Sequence, residues 1–259
     1  MEIPLLYADH GQDVNYRMRV VFMSLGFFGL FSAFNTAQNL ATSLSGNLGN
    51  VCLATLYITF TFACIGAPKL VNYLGPRMSM IIGGPSEAAS SVPYVGMILA
   101  NLAPSYYLSV PMNFLVGLGA PLLWTGEGVY VGRAALRHAE QTGISREAAT
   151  SEFNAVFFTL FQANGSLGLL TASLILSYAG GNAKTILFYV MGAVAVFGVV
   201  LLVFVKPIET PGSSSNDDGK VRSVTLAQTV RLSLTDKRML LMTPVILYNG
   251  MSLGFMFGE

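Results

Sequence analysis

The feature that most constrains this chain is a run of 21 residues, Val20 to Leu40, that contains no charged side chain. At about 1.5 Å per residue, a helix of this length spans roughly 31 Å, which matches the hydrocarbon core of a bilayer. Six further runs meet the same criterion of about 20 mostly apolar residues. They are Val51 to Val71, Met78 to Ala100, Val110 to Val131, Phe153 to Tyr178, Thr185 to Val205 and Met239 to Phe257. The sequence therefore predicts an all-α, polytopic membrane protein with seven spans.

The composition supports this class and argues against others. Hydrophobic residues make up 53% of the chain and charged residues 10%, with a mean hydropathy of +0.59, whereas a soluble domain has about 25% charged residues. The net charge of +1 offers no footprint for nucleic acid. Both histidines, His10 and His138, lie outside the predicted spans, and no set of side chains has metal-ligand spacing. We expect the lipid bilayer as a partner, no nucleic acid, no cofactor and no enzymatic activity.

The basic residues predict the orientation, because Lys and Arg accumulate on the cytoplasmic side of a membrane. With a cytoplasmic N-terminus, 13 of the 14 basic residues lie inside and Lys184 alone lies outside. This gives four predicted regions: a cytoplasmic tail (residues 1–19), a six-helix bundle (20–205), a cytoplasmic linker (206–238) and a seventh helix (239–259). Part of the linker has an amphipathic pattern, so it is either an interfacial helix or a plain connector.

Six spans, a linker and one more span are the pattern of a transporter built from two six-helix bundles. Here the second bundle stops after its first helix. The chain is therefore either a fragment or truncated product, or a natural half-protein. We expect it to need the missing C-terminal bundle, or a second copy of the chain, to work.

Several motifs carry a resemblance to a known family. The loop "PKLVNYLGPRMSM" resembles the major facilitator signature between spans two and three, with Asn72 where that signature has an Asp. Spans four, five and seven resemble the UNC-93-like branch of that superfamily. The matching residues are Leu70, Gly75, Arg77, Leu123, Trp124, Thr125, Gly128, Tyr130, Gln162, Gly168, Met239, Leu240, Tyr248, Gly250 and Phe255. The resemblance implies a major-facilitator-type six-helix bundle plus a seventh transmembrane helix.

The same resemblance implies two functions that the residues leave open. Members of the family look like solute or ion transporters. Several are instead regarded as regulators of potassium-channel complexes, or as escorts of other membrane proteins. A channel or receptor subunit is therefore a possible partner.

Polar residues inside the spans are the candidates for a functional site. Asn35, Gln38 and Asn39 end span one, and Asn35 and Gln38 share a helical face. Span four is the corresponding helix of an inverted repeat and also carries its polar groups towards its C-terminal end. We predict that a central cavity is lined by Asn35, Gln38, Asn39, Asn113, Trp124, Glu127 and Gln162. The alternative is that the amides are hydrogen-bonding contacts between helices.

Glu127 is the most informative of these residues, because a carboxylate inside a span costs about 2.5 to 3.5 kcal/mol on insertion scales. It either couples transport to a proton or cation, or pairs with a basic residue such as Arg17 or Arg77. Four further residues are candidates for a conformational role between or within spans. They are Asn72, Gly75, Arg77 and Pro121. Glu87, in span three, is expected to have a packing role or to create a local water defect, and not to form a substrate site.

Overall fold

The computed structural model describes residues 14–81, 91–208, 231 and 234–257. This part of the chain is helical and contains no β-strand, so the prediction of an all-α membrane protein is confirmed. The helices with described bounds are α1 (Tyr16–Ser45), α2 (Asn47–Ala63), α3 (Ala67–Leu74), α4 (Pro76–Ile81), α5 (Val92–Ala100), α6 (Tyr106–Thr142), α7 (Arg146–Tyr178), α8 (Ala183–Phe204) and α9 (Lys237–Phe257).

Within the described residues, four helical segments are long and apolar enough to cross a membrane. They are Tyr16–Ser45, Tyr106–Thr142, Arg146–Tyr178 and Gly180–Phe204. The bent pair formed by α2 and α3 makes a fifth if it is counted as one span. α4 and α5 lie in the third predicted span, on either side of a stretch that is not described, and Glu87 and most of the predicted linker also lie outside the described residues. The seven-span count and the four-region division therefore stay predictions.

The second predicted span differs from expectation, because its helix breaks before Val71. α2 ends at Ala63, and α3 leaves it at an angle of 69°. Pro68 explains the break, since it has no backbone N–H and its ring would clash with the carbonyl of Cys64 in a continuous helix. Gly66 precedes the new helix and Pro68 sits in its first turn, where a missing N–H costs nothing. The motif between spans two and three is thus helical except at Gly75.

Glycines allow α1 to approach its neighbours closely. A Cβ placed on Gly198 of α8 would lie 2.5 Å from the backbone nitrogen of Leu30 and 2.7 Å from the carbonyl oxygen of Gly26. On the other side of α1, a Cβ on Gly168 of α7 would lie 2.7 Å from the carbonyl oxygen of Ser32. Membrane helices pack in this way because lipid provides no hydrophobic force to drive them together, so close van der Waals contact must do so.

The C-terminal end of α8 is held by hydrogen bonds from three other helices. Arg77 Nη2 on α4 donates to the carbonyl of Val203 at 2.9 Å. Tyr130 Oη on α6 donates to the carbonyl of Lys206 at 2.8 Å. Arg19 Nη1 on α1 donates to the carbonyl of Pro207 at 3.0 Å. These contacts bring together four chain segments that carry most of the basic residues. The predicted topology also puts these segments on one side of the membrane, but that topology, including the side they face, stays a prediction.

Candidate functional site: an intramembrane cavity

Aromatic side chains from α1, α5, α6 and α7 form one cluster in the middle of the helix bundle. The Trp124 ring lies 5.1 Å from both Phe31 and Phe161, measured between centroids, and it meets Phe27 edge-on at 5.8 Å. Phe34 and Tyr94 continue the cluster at 5.0 Å. Tilted and edge-on pairs of this kind are each worth about 0.5 to 1.5 kcal/mol beyond the area that they bury. The cluster thus forms a continuous aromatic wall that joins four helices.

A cavity of about 590 Å³ lies against this wall. Its lining residues come from α1, α2, α5, α6 and α7, and none of those that the structure describes is charged. They are Phe31, Phe34, Asn35, Gln38, Asn39, Leu56, Tyr57, Phe60, Tyr94, Val116, Ala120, Trp124, Phe161, Gln162 and Gly165. An apolar and aromatic wall with a few polar groups is the usual composition of a small-molecule site.

The amides of α1 both line this cavity and bond across helices. Asn35 Nδ2 donates to Asn164 Oδ1 on α7 at 2.7 Å, and Gln38 Nε2 donates to the Tyr57 hydroxyl on α2. The two interpretations offered by the sequence, cavity lining and helix contact, thus describe the same residues. Asn164 bonds a neighbouring helix while Gln162, two residues away, faces the cavity.

Two predicted lining residues are not in the wall of this cavity. Asn113 is on the face of α6 that borders a separate, small cavity of about 30 Å³, and its side-chain amide donates to the carbonyl of Ser109 at 2.9 Å. Glu127 is buried, with 6% of its surface exposed, one helical turn after Trp124. The ion pairs among the described residues join Arg17 to Glu152 and Arg137 to Glu140, and Arg77 donates to a carbonyl. Glu127 is therefore not paired with Arg17 or Arg77.

Sequence reasoning missed the contribution of α2 and α5 to the cavity. Tyr57 and Phe60 of α2, with Tyr94 of α5, supply aromatic lining. Tyr57 and Phe60 are three residues apart, so they share a helical face. That spacing was a usable signal, but an aromatic stripe on a membrane helix faces lipid as readily as it faces a cavity.

Each of the four residues predicted to have a conformational role lies in a different setting. Asn72 is exposed on α3, while Gly75 connects α3 to α4 with a φ of +80°, a conformation that side-chain-bearing residues rarely adopt. Arg77 ties α4 to α8. Pro121 is buried within α6, which runs as one helix from Tyr106 to Thr142. Their proposed roles remain predictions.

The hydrogen bond between Asn35 and Asn164 gives a direct test of helix pairing. We expect the effects of Asn35→Ala and Asn164→Ala on the free energy of unfolding to be non-additive. The expected coupling free energy is about 0.6 kcal/mol, typical of hydrogen bonds between membrane helices. A double-mutant cycle on unfolding in mixed micelles measures this quantity. A matched cycle pairing Asn35→Ala with Asn154→Ala, whose amide bonds only its own helix at Thr150 among the described residues, is expected to show no coupling. Equal coupling in both cycles would contradict the assigned contact.

Taken together, the apolar helices define a multi-pass α-helical membrane protein, with an uncharged cavity between several of its helices. Residues 41–258 match the sequence model of a family described as "Ion channel regulatory protein UNC-93". The chain belongs to the UNC-93 family, as its motifs predicted.

Individual relatives extend the match over the whole chain. "UNC93-like protein 3" of Arabidopsis thaliana is 29% identical over 271 residues, covering 100% of this chain and 57% of that protein. "Protein unc-93 homolog A" of Homo sapiens is 28% identical, covering 93% and 59%. The "Putative potassium channel regulatory protein unc-93" of Caenorhabditis elegans is 29% identical over 160 residues, covering 61% and 22%. The chain thus spans little more than half the length of the first two relatives.

Proposed function

We propose that this chain forms one half of a transporter-like protein and that the cavity beside Trp124 is its part of a solute-binding site. The observation that supports the proposal is the cavity itself. Its volume of about 590 Å³ falls within the roughly 300 to 1,000 Å³ of small-molecule sites. Amide and hydroxyl groups from α1, α2 and α7 converge on it, as expected for a site that orients a solute.

Asn39 and Gln162 are the cavity amides whose whole hydrogen-bonding capacity is free among the described residues. Asn35 and Gln38 are engaged with Asn164 and Tyr57, whereas the side chains of Asn39 and Gln162 make no hydrogen bond to the described residues. We therefore assign solute contact to Asn39 and Gln162, and positioning to Asn35 and Gln38.

Glu127 is the proposed coupling residue. It is buried one turn from Trp124, and among the described residues it has no ion-pair partner. An ionisable side chain inside a membrane span is costly to insert, and such residues commonly mark ion pathways or proton relays. Replacing Glu127 with Gln keeps the shape and removes the charge. In the protein completed by its second bundle or by a second copy, solute flux into proteoliposomes is therefore expected to lose its dependence on the pH gradient. An unchanged dependence would remove Glu127 from the mechanism.

The fluorescence of Trp124 provides the first test, because it is the only tryptophan of the chain and lies in the cavity wall. We expect acrylamide, an uncharged aqueous quencher, to reach it at least as effectively as brominated acyl chains do. A solute that binds the cavity is expected to protect it, and Gln162→Ala to weaken this protection about tenfold. Gln141→Ala, which changes an exposed amide on the same helix as Trp124, is the control. Quenching from the lipid phase alone would contradict a solute site.

A second function is favoured by the comparisons: a non-transporting regulator or escort of an ion channel. The family description and the name of the C. elegans relative both refer to channel regulation, and Asn72 stands where the facilitator signature has its acidic residue. Co-purification with a potassium-channel subunit that changes its currents, with no solute protection of Trp124, would favour this function. Protection and flux without a channel would favour transport.

A further inference from the structure

A second, larger-mouthed groove lies where the first turns of α1 meet the end of α8. Its volume is about 490 Å³, and it is separate from the cavity beside Trp124 because the two share no lining residue. Its walls are mostly apolar. The described lining residues are Val14, Asn15, Met18, Arg19, Val21, Phe22, Leu25, Phe204 and Lys206.

The groove is apolar along most of its length and basic at one end. Leu25 lies deepest along α1, six residues after Arg19, which is about 9 Å of helix. Arg19 and Lys206 are the charged residues among the described lining, and both are positive. Both lie at the bundle end where the basic segments gather. A ligand that fits needs a negative group at the surface and an apolar portion that reaches into the bilayer.

The two basic side chains have donors to spare. Arg19 uses Nη1 to bond the carbonyl of Pro207 at 3.0 Å and lies 5.5 Å from the Tyr16 ring centroid, which leaves most of its five N–H donors for a ligand. Lys206 is exposed, and its described hydrogen bond uses its backbone carbonyl. The contact with Pro207 also holds the Arg19 guanidinium beside the groove before any ligand arrives, which lowers the entropy cost of binding.

The exposure of the groove fits lipid as the occupant. Phe204 is 69% exposed and Met18 60% exposed, so the walls are open to the surroundings of the helices. In a membrane protein those surroundings are acyl chains. Basic pockets between helices near the membrane surface are suited to anionic headgroups.

From this geometry we propose that the groove between α1 and α8 binds an anionic phospholipid, with its phosphate on Arg19 and Lys206 and an acyl chain along Phe22, Leu25 and Phe204. The proposal is independent of the transport function, because the groove and the cavity share no residue.

Native mass spectrometry of the chain in a neutral detergent, with equimolar phosphatidylserine and phosphatidylcholine, tests this proposal. We expect phosphatidylserine to bind preferentially, and the double variant Arg19→Gln with Lys206→Gln to weaken it by about tenfold to thirtyfold, as two near-surface charges imply. The control is Lys69→Gln with Arg146→Gln, which removes the same charge from exposed sites that do not line the groove. It is expected to change binding less than twofold.

Two further measurements keep the proposal testable if the double variant folds poorly. Lys206→Gln alone leaves the described helix contacts intact and is expected to weaken binding about threefold to fivefold. Phe204→Asn changes only an exposed residue of the groove wall. It is expected to weaken the binding of phosphatidylserine but not the binding of glycerophosphoserine, which has the same headgroup and no acyl chain.

Several outcomes would overturn the proposal. Equal losses of phosphatidylserine binding in the groove variant and the control variant would mean that the lipid responds to the net charge of the protein and not to this groove. Full competition by glycerophosphoserine would indicate a phosphate site without a lipid. Lipid binding that appears only after removal of residues 1–12 would indicate that this segment occupies the groove. A changed oligomeric state in the double variant would indicate that a second copy of the chain occupies it.

Discussion

Replacing Gly198 with alanine is expected to lower the melting temperature of the protein in detergent by about 2 to 12 °C. The added Cβ would meet backbone rather than flexible side chain: Leu30 N at 2.5 Å, Gly26 O at 2.7 Å and Gly29 C at 3.1 Å. Backbone atoms cannot move aside by changing rotamer as a side chain can, so α1 and α8 must separate where they touch. Overpacking of this kind costs about 1 to 3 kcal/mol, and each kcal/mol is worth about 2 to 4 °C in a domain of this size.

Gly132→Ala is the matched control for this substitution. Gly132 is also a helical glycine, but a Cβ there would meet nothing within 4 Å. Its replacement is expected to leave the melting temperature unchanged or raise it, since alanine favours a helix over glycine by about 1 kcal/mol. Fluorescence-detected gel filtration after heating measures both variants. If Gly198→Ala melts together with Gly132→Ala, α1 and α8 do not approach as closely as described.

Truncation of Trp124 to alanine is expected to cost about 3 kcal/mol of unfolding free energy, the lower end of the range for large aromatic residues because Trp124 is only half-buried. The indole contacts Phe27 and Phe31 on α1, and Phe157 and Phe161 on α7. Its loss therefore removes the side chain that joins three helices at the cavity wall. Denaturant titration in mixed micelles measures the loss.

Two control variants separate this effect from a general loss of aromatic volume. Trp124→Phe retains a ring between α1 and α7 and is expected to recover most of the stability. Phe197→Ala removes an outward-facing ring that is 61% exposed, where detergent or lipid can fill the space, and is expected to cost less than about 1 kcal/mol. Equal costs for Trp124→Ala and Phe197→Ala would mean that the aromatic cluster does not hold the helices together.

Much of the cavity could be predicted from one physical rule, the periodicity of a helix. Three to four residues separate the positions on one face, so Asn35 and Gln38 were expected to point the same way, and both line the cavity. The rule also separated Gln162 from Asn164 on α7. It works here because an amide in hydrocarbon needs a partner or a polar space, and few positions offer either.

Helix periodicity does not distinguish an aromatic side chain that faces the cavity from one that faces lipid, because both surroundings are largely apolar. Tyr57 and Tyr94 line the cavity, while Tyr189 is 61% exposed on the outside of α8; nothing in their local sequence distinguishes them. Periodicity also placed Asn113 and Glu127 on the face of Trp124. Their actual surroundings depend on how α2 and α4 pack on α6, which involves close contacts at Gly117 and Gly126. Tertiary packing of this kind leaves no pattern in a single helix.

The anchoring of residues 203–207 has a mechanical consequence. Donors from α1, α4 and α6 bond three carbonyls within five residues. A force on this stretch of backbone is therefore shared among three helices and is not borne by the last turn of α8 alone. A displacement of residues 203–207 is therefore expected to act on α1, α4 and α6 at the same time.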